Sequence, residues 1–113
     1  LTRAIDYLQA HFTESLSLSE IAAAVGVHPD HLTRAFRKHY RMTIGDYIRQ
    51  RRIEHACQLL KRSSASLAQI AQESGFADQS HFQKNFKAQM KITPAQFRAT
   101  TGSKADSGTN TLL

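Results

Sequence analysis

The chain has 113 residues, 41% of them hydrophobic, and a net charge of +6 from 15 Lys+Arg against 9 Asp+Glu. That size suits one ordinary domain with a small core, and the basic balance favours a polyanionic partner without choosing between nucleic acid and an anionic membrane surface. No apolar run approaches the roughly 20 residues that span a bilayer and no signal-peptide pattern is present, so no membrane partner is expected. The one cysteine, Cys57, excludes an internal disulfide and suits a reducing cytoplasm. The sequence starts at Leu1 inside a helical pattern and without methionine, which predicts a fragment of a longer protein.

Ile5, Leu8 and Phe12 stand at helical spacing and predict a first amphipathic helix over residues 1–12. Ser17 followed by Glu20 reads as a capping box, and Leu16 with Ile21 as a hydrophobic staple, so a short helix starts there and ends at Gly26. Pro29 suits the first position of the next helix. That helix buries Leu32, Phe36 and Tyr40 and turns Asp30, Thr33, Arg34 and Arg37 outward. Thr43 caps a long helix to about Arg62, with Ile44, Tyr47, Ile48, Ile53, Ala56, Cys57 and Leu60 as its apolar stripe. The serines at 63, 64 and 66 break it. Ser66 with Gln69 and Ala65 with Ile70 repeat the capping signals, and a second short helix ends at Gly75. Asp78 caps a helix that buries Phe82, Phe86 and Met90 and exposes Gln79, Ser80, Gln83, Lys84 and Lys87. Thr93-Pro94 starts a last short helix with Phe97 inward. From about Thr100 the composition is small and polar without periodicity, which predicts an unstructured tail over 101–113.

The chain therefore says the same thing twice. Ile21-Ala22 and Gly26 match Ile70-Ala71 and Gly75 at an offset of 49. Leu32, Phe36, Met42, Thr43 and Tyr47 match Phe82, Phe86, Ile92, Thr93 and Phe97 at an offset of 50. The extra residue falls in the turn after Gly75. Two copies of a short helix, a glycine turn and a second helix with a polar outer face predict an all-α fold of two helix-turn-helix subdomains. The first covers 1–62, including the connecting helix at about 43–62, and the second covers 63–100.

Two such units suit duplex DNA. The major groove admits one helix and recurs on one side every ~34 Å. A connecting helix of 20 residues is about 30 Å long, so one strut could hold two reading helices for adjacent groove segments; its shortfall predicts bent DNA or one poorly seated helix. Arg34 suits guanine, Gln79 and Gln83 suit adenine, Thr33 offers a methyl group to thymine, and Lys84 reaches guanine or phosphate. Arg37, Lys38, Arg41, Lys87 and Lys91 lie toward the far ends of the reading helices and suit phosphates. Arg49, Arg51 and Arg52 cluster on the connecting helix, where an internal ion pair, with Asp46 for instance, competes with a phosphate contact. The six histidines include His28 and His31 near one helix start, but no local third ligand completes a metal set. No nucleophile–base pair, phosphate loop or paired acidic site is present, so no enzyme, cofactor or metal is expected.

The stretch GFADQSHFQKNFKAQMKITPAQFR resembles the signature of the AraC/XylS family of bacterial transcription regulators, and RIEHACQLL on the connecting helix agrees with it. The resemblance covers about residues 1–100. It implies a seven-helix domain with homeodomain-like units that binds double-stranded promoter DNA, recruits RNA polymerase and works in the cytoplasm at the nucleoid. It also implies an N-terminal effector-sensing or dimerisation part outside this chain. The family's reading positions fall on Asp30, Thr33 and Arg34, and on Gln79, Ser80, Gln83 and Lys84. The family commonly has glycine where this chain has Arg41 and Lys91, and proline where it has Ile44. If the two turns need positive φ, Arg41 and Lys91 are strained there. Two alternatives are a helical protein–protein interaction module and a DNA-reading module fused to a repair enzyme.

Overall fold

The computed structural model describes residues 1–107 and is all-α. Seven helices follow one another: α1 Thr2–His11, α2 Leu18–Val25, α3 Pro29–Tyr40, α4 Ile44–Arg62, α5 Leu67–Glu73, α6 Gln79–Met90 and α7 Pro94–Ser107. The chain forms two compact units that divide inside α4, between Arg52 and Ile53. The sequence boundary after Arg62 follows the helix-breaking serines, whereas the cores share the helix. Ile48 belongs to the first core, with Ala4, Leu8, Ile21, Ala22, Val25, Leu32 and Phe36. Ile53, Ala56 and Leu60 belong to the second, with Ile70, Ala71, Phe76, Phe82 and Phe86.

Local signals set the helix ends. In the first unit the Glu20 amide donates to Ser17 Oγ (3.1 Å) and the Ser17 amide to Glu20 Oε1 (2.9 Å), a complete capping box. Thr43 and Asp46 form another at the start of α4, with 3.0 and 3.3 Å bonds. In the second unit Thr93 and Gln96 do the same for α7, at 3.1 and 2.9 Å. The expected box at Ser66 is only half made. Ser66 Oγ accepts from the Gln69 amide, but the Gln69 side chain donates along the helix to Glu73 instead. Asp78 caps α6 by accepting from the His81 amide at 2.8 Å.

The turns between paired helices share one backbone arrangement. The Val27 amide donates to the Ala22 carbonyl and the Gly26 amide to Ala23; Phe76 to Ala71 and Gly75 to Gln72 repeat the pattern. This is a Schellman closure, and it needs the positive φ of Gly26 (75°) and Gly75 (95°). In the second copy the helix α5 ends at Glu73, with Ser74 as its cap and Gly75 one residue beyond. The residue after each glycine, Val27 or Phe76, packs against its core.

Two arginines tie down helix ends and the loops that follow them. Arg52 donates from Nε to the Phe12 carbonyl (2.6 Å) and from Nη2 to the Glu14 carbonyl (2.9 Å). Its expected role as an ion-pair or phosphate partner is therefore replaced by an internal one, because the carbonyls after α1 have no helical partner. Arg98 does the same in the second unit, donating to the carbonyls of Leu60 (3.4 Å), Ser63 (3.0 Å) and Ala65 (2.7 Å). The last helix runs to Ser107, longer than its sequence suggests, and overlaps the expected unstructured tail at 101–107; Thr100 and Thr101 hydroxyls donate back to the Phe97 carbonyl inside it. The rest of that tail, 108–113, lies outside the described residues.

Arg98→Ala should destabilise the second unit by about 1–2 kcal/mol, since charge-assisted bonds are lost from a partly exposed site. Arg98→Lys should not restore it, because one ammonium cannot span three carbonyls; thermal denaturation of both variants checks this. Ser74 is fully buried and its hydroxyl has no protein partner, so Ser74→Ala should raise the melting temperature by a few degrees, corresponding to about 1 kcal/mol.

Candidate nucleic-acid interface

The inner faces of α3 and α6 are anchored by aromatic residues. Phe36 and Phe86 are fully buried. Phe36 meets Tyr47 edge-on at 5.9 Å and 72°, and Phe86 meets Phe97 at 5.6 Å and 72°. The flanking Tyr40 and Met90 are half-buried rather than buried. With one face thus held, the opposite face of each helix must meet solvent.

That outer face carries the residues singled out by the sequence. Asp30, Thr33, Arg34, Arg37, Lys38 and Arg41 are all exposed on or just after α3. Gln79, Ser80, Lys84, Lys87 and Lys91 are exposed on or just after α6, while Gln83 is half-buried. Ser80, Gln83, Lys84 and Lys87 line an open groove together with Ala88 and Thr93. Each set stays within its own unit. At the repeat offset of 50, Arg34, Arg37 and Arg41 correspond to Lys84, Lys87 and Lys91, and Asp30 and Thr33 to Ser80 and Gln83. Three cationic positions are thus common to both copies, Lys38 falls opposite Ala88, and the neutral or acidic positions differ.

The charged side chains sort by what holds them. Arg49 pairs with Asp46, as the sequence allows. Hydrogen bonds from Thr43, then the Arg49 guanidinium, hold the Asp46 carboxyl below its ordinary 3.8, so the α4 cap stays ionised. Arg51 lies over the Phe12 ring, 5.3 Å from its centroid. Arg52 and Arg98 hold backbone carbonyls, and burial pulls the Arg52 guanidinium below its ordinary value. By contrast, among the described residues the side chains of Asp30, Thr33, Arg34, Arg37, Lys38, Gln79, Ser80, Gln83, Lys84 and Lys87 make no protein hydrogen bond or ion pair. Lys91 spends one of its three donors on the Ala88 carbonyl.

Arg41 and Lys91 cap α3 and α6 in the left-handed conformation, with φ of 61° and 71°. They are the non-glycine residues with positive φ among the described residues. An L-residue there bears a cost of about 1–2 kcal/mol.

The histidine near α3 has a structural task. His28 is the N-cap, and its Nδ1 accepts from the Asp30 amide at 3.1 Å. Among the described residues no three His, Cys, Asp or Glu side chains are grouped closely enough to hold a metal. Cys57 is half-buried against the second core, and burial pushes its thiol up, away from the reactive thiolate. Sequence reading did not single out Arg98, the core residue Phe76 or the capping role of His28. The position of Phe76, one residue past a helix-ending glycine, was the available signal.

Comparison with known proteins agrees with this geometry. Residues 21–100 match the helix-turn-helix domain family. The chain is 37% identical over 107 residues to the HTH-type transcriptional activator AarP of Providencia stuartii, covering 95% of this chain and 76% of that protein. It resembles the crystal structure of a Chromobacterium violaceum transcriptional regulator with an AraC-type DNA-binding domain, at a TM-score of 0.84 and 34% identity, covering 89% and 90% of the two chains. The chain belongs to the AraC-type helix-turn-helix family of DNA-binding domains. This is a family of regulators, not of enzymes. The DNA-binding domain of AdpA, solved in complex with a target DNA, shares the fold at a TM-score of 0.85 but only 21% identity, covering 96% of each chain. Of several other curated relatives this AraC-type chain spans only 12–32%. No helix among the described residues is long and apolar enough to cross a membrane.

The strained caps generate a prediction of opposite signs. Arg41→Gly should raise stability by up to about 1 kcal/mol, the left-handed strain relieved less the entropy glycine gains when unfolded. The same substitution should weaken binding to duplex DNA and lower its salt dependence. Melting curves and salt titrations on the one variant check both; a destabilised variant would refute the strain.

Proposed function

We propose that this chain is the promoter-reading module of a bacterial AraC-type transcription regulator, with α3 and α6 each entering a major-groove segment of double-stranded DNA. Asp30, Thr33 and Arg34 on α3 and Gln79, Ser80, Gln83 and Lys84 on α6 read base edges. Arg37, Lys38, Arg41, Lys87 and Lys91 contact phosphates and set affinity and register. The two segments are adjacent on the duplex. The observation that carries this reading is the sorting of charge. The arginines of α4 and α7 that meet protein groups are engaged in pairs and clamps, whereas Asp30, Thr33, Arg34, Arg37 and Lys38 on α3 and Gln79, Ser80, Lys84 and Lys87 on α6 are exposed and make no protein hydrogen bond or ion pair. Unsatisfied donors gathered on two helices at equivalent positions suit an anionic, hydrogen-bonding partner.

In the whole protein, an N-terminal part would sense an effector or dimerise, and RNA polymerase would be the partner in a cytoplasmic, nucleoid-bound complex. The short share of several relatives spanned by this chain supports further domains, and AarP is named an activator.

Binding to random-sequence duplex should fall linearly on a log–log plot against salt; no binding at low salt would end the reading and leave a protein–protein module. Lys87→Ala should lower affinity for all sequences alike and reduce the slope by about one. Arg34→Ala should relax selectivity at one base position. Selected duplexes should carry two blocks about one helical turn apart.

A further inference from the structure

The two copies agree at their cationic positions and differ at the turn that precedes them. On α3 an aspartate, Asp30, stands four residues before Arg34. Such an Asp–Arg spacing brings the side chains together on one helix face, yet no ion pair forms between them, and both are exposed. The Asp30 backbone amide is taken by His28 Nδ1, which fixes the first turn and leaves the carboxylate uncommitted. A free carboxylate at the front of a helix followed by Arg34, Arg37, Lys38 and Arg41 is costly near phosphates unless it meets a donor. The exocyclic amine of cytosine is such a donor in the major groove, and guanine is the acceptor that suits Arg34. Four residues at 1.5 Å each separate the two along the helix by about 6 Å, between one and two base-pair steps of about 3.4 Å.

The corresponding residues on α6 are Ser80 and Lys84, and α6 contains no acidic residue at all. It carries instead two primary amides one turn apart, Gln79 at its first position and Gln83 in the open groove beside Ser80 and Lys84. An amide donates and accepts in parallel, the pattern that adenine presents at N6 and N7.

We propose that the two reading helices have unlike base preferences: α3 selects a block holding cytosine and guanine through Asp30 and Arg34, and α6 selects adenine through Gln79 and Gln83. The site for one copy of this chain is then two non-equivalent blocks rather than one motif repeated. This rests on the base-reading role proposed above. Asp30 works as a filter, since its charge lowers affinity for every duplex and is compensated only where cytosine donates to it.

The test is selection of duplexes from a random pool, followed by base-analogue substitution in the selected site. The pool should yield one block containing C and G and one containing A. Replacing the block's guanine by 7-deazaguanine, which lacks the N7 acceptor, should weaken wild-type binding about tenfold and leave Arg34→Ala unaffected, a coupling worth roughly 1–3 kcal/mol for a good bidentate pair. The 7-deazaadenine analogue should behave likewise with Gln83→Ala or Gln79→Ala. Asp30→Ala should lose the cytosine preference and bind random duplex several-fold more tightly. Two blocks of the same base type, a guanine penalty that persists in Arg34→Ala, or an unchanged cytosine preference in Asp30→Ala would overturn this proposal and leave base reading intact. Binding without any enriched sequence would overturn base reading itself. Asp30, Arg34 and Gln79 are exposed and Gln83 is half-buried, and matching melting curves of each variant separate recognition from folding.

Discussion

Each unit depends on burying the inner face of its reading helix, Leu32 and Phe36 in one and Phe82 and Phe86 in the other. Phe36 and Phe86 are wholly removed from water and each meets an edge-on ring, Tyr47 or Phe97, from the helix that follows. Full burial of such a side chain contributes about 1.5–3 kcal/mol, and the ring pair adds ~0.5–1.5 kcal/mol. The directional consequence matters more than the energy. A helix pinned in this way can rotate only by exposing those side chains, so the residues opposite are held toward solvent. The tyrosine or phenylalanine partner sits four residues after a threonine cap, and that cap sets where the partner helix begins. Core, cap and polar face are thus one coupled arrangement, built twice.

What the sequence displayed plainly was whatever is encoded within a few residues. Caps such as Ser17 with Glu20, the glycine turns and the apolar periodicity all lie inside a single turn of chain, and so does the repeat that aligns them. What it displayed poorly needs knowledge of distant neighbours. Arg52 meets carbonyls 38 and 40 residues away, and Arg98 meets carbonyls 33 to 38 away. Nothing local distinguishes such an arginine from Arg34. Gln69 illustrates the converse: its spacing from Ser66 fits a capping box, but Glu73 one turn further on competes for the same amide and takes it. The outer face was legible as a face. Which base each residue meets is not written in the chain alone, because it depends on the depth and angle at which the helix enters its groove.

The correspondence between copies carries its own argument about Arg41 and Lys91. Glycine at a left-handed helix end is the low-strain choice, and the chain uses it at Gly26 and Gly75. Two turns of the same kind, one after each reading helix, instead carry a cation. A single strained residue can be incidental. The same strain at both repeat-equivalent positions, each time with positive charge, points to a gain outside the folded chain, which the proposed phosphate contact would supply. The helix dipole does not explain the choice. It favours cations in the last turn, and Arg37, Lys38 and Lys87 already provide them at no conformational cost.

Where cations are committed internally is as informative as where they are free. A guanidinium that satisfies carbonyls left over at a helix end serves folding, and its charge is partly hidden from any ligand. The cations that remain unengaged on α3 and α6 keep their full field for an approaching partner, and their long stems keep them adaptable. Such a surface alone would bind any duplex. Selectivity needs groups that lose when the wrong base is present, and in the proposed reading these are Asp30 with its uncompensated charge, and the amides of Gln79 and Gln83, whose donors and acceptors must both be met. Asp30 and Gln79 stand in the first turn and Gln83 one turn on, which fits that task, since a helix entering a groove end-on brings its first turns nearest the base edges. In the proposed docking the last turns, with Arg37, Lys38 and Lys87, lie against the backbone, where charge without directional preference is sufficient. The gradient along each reading helix, from short polar groups to long cations, is what lets one small fold separate recognising a sequence from holding on to it.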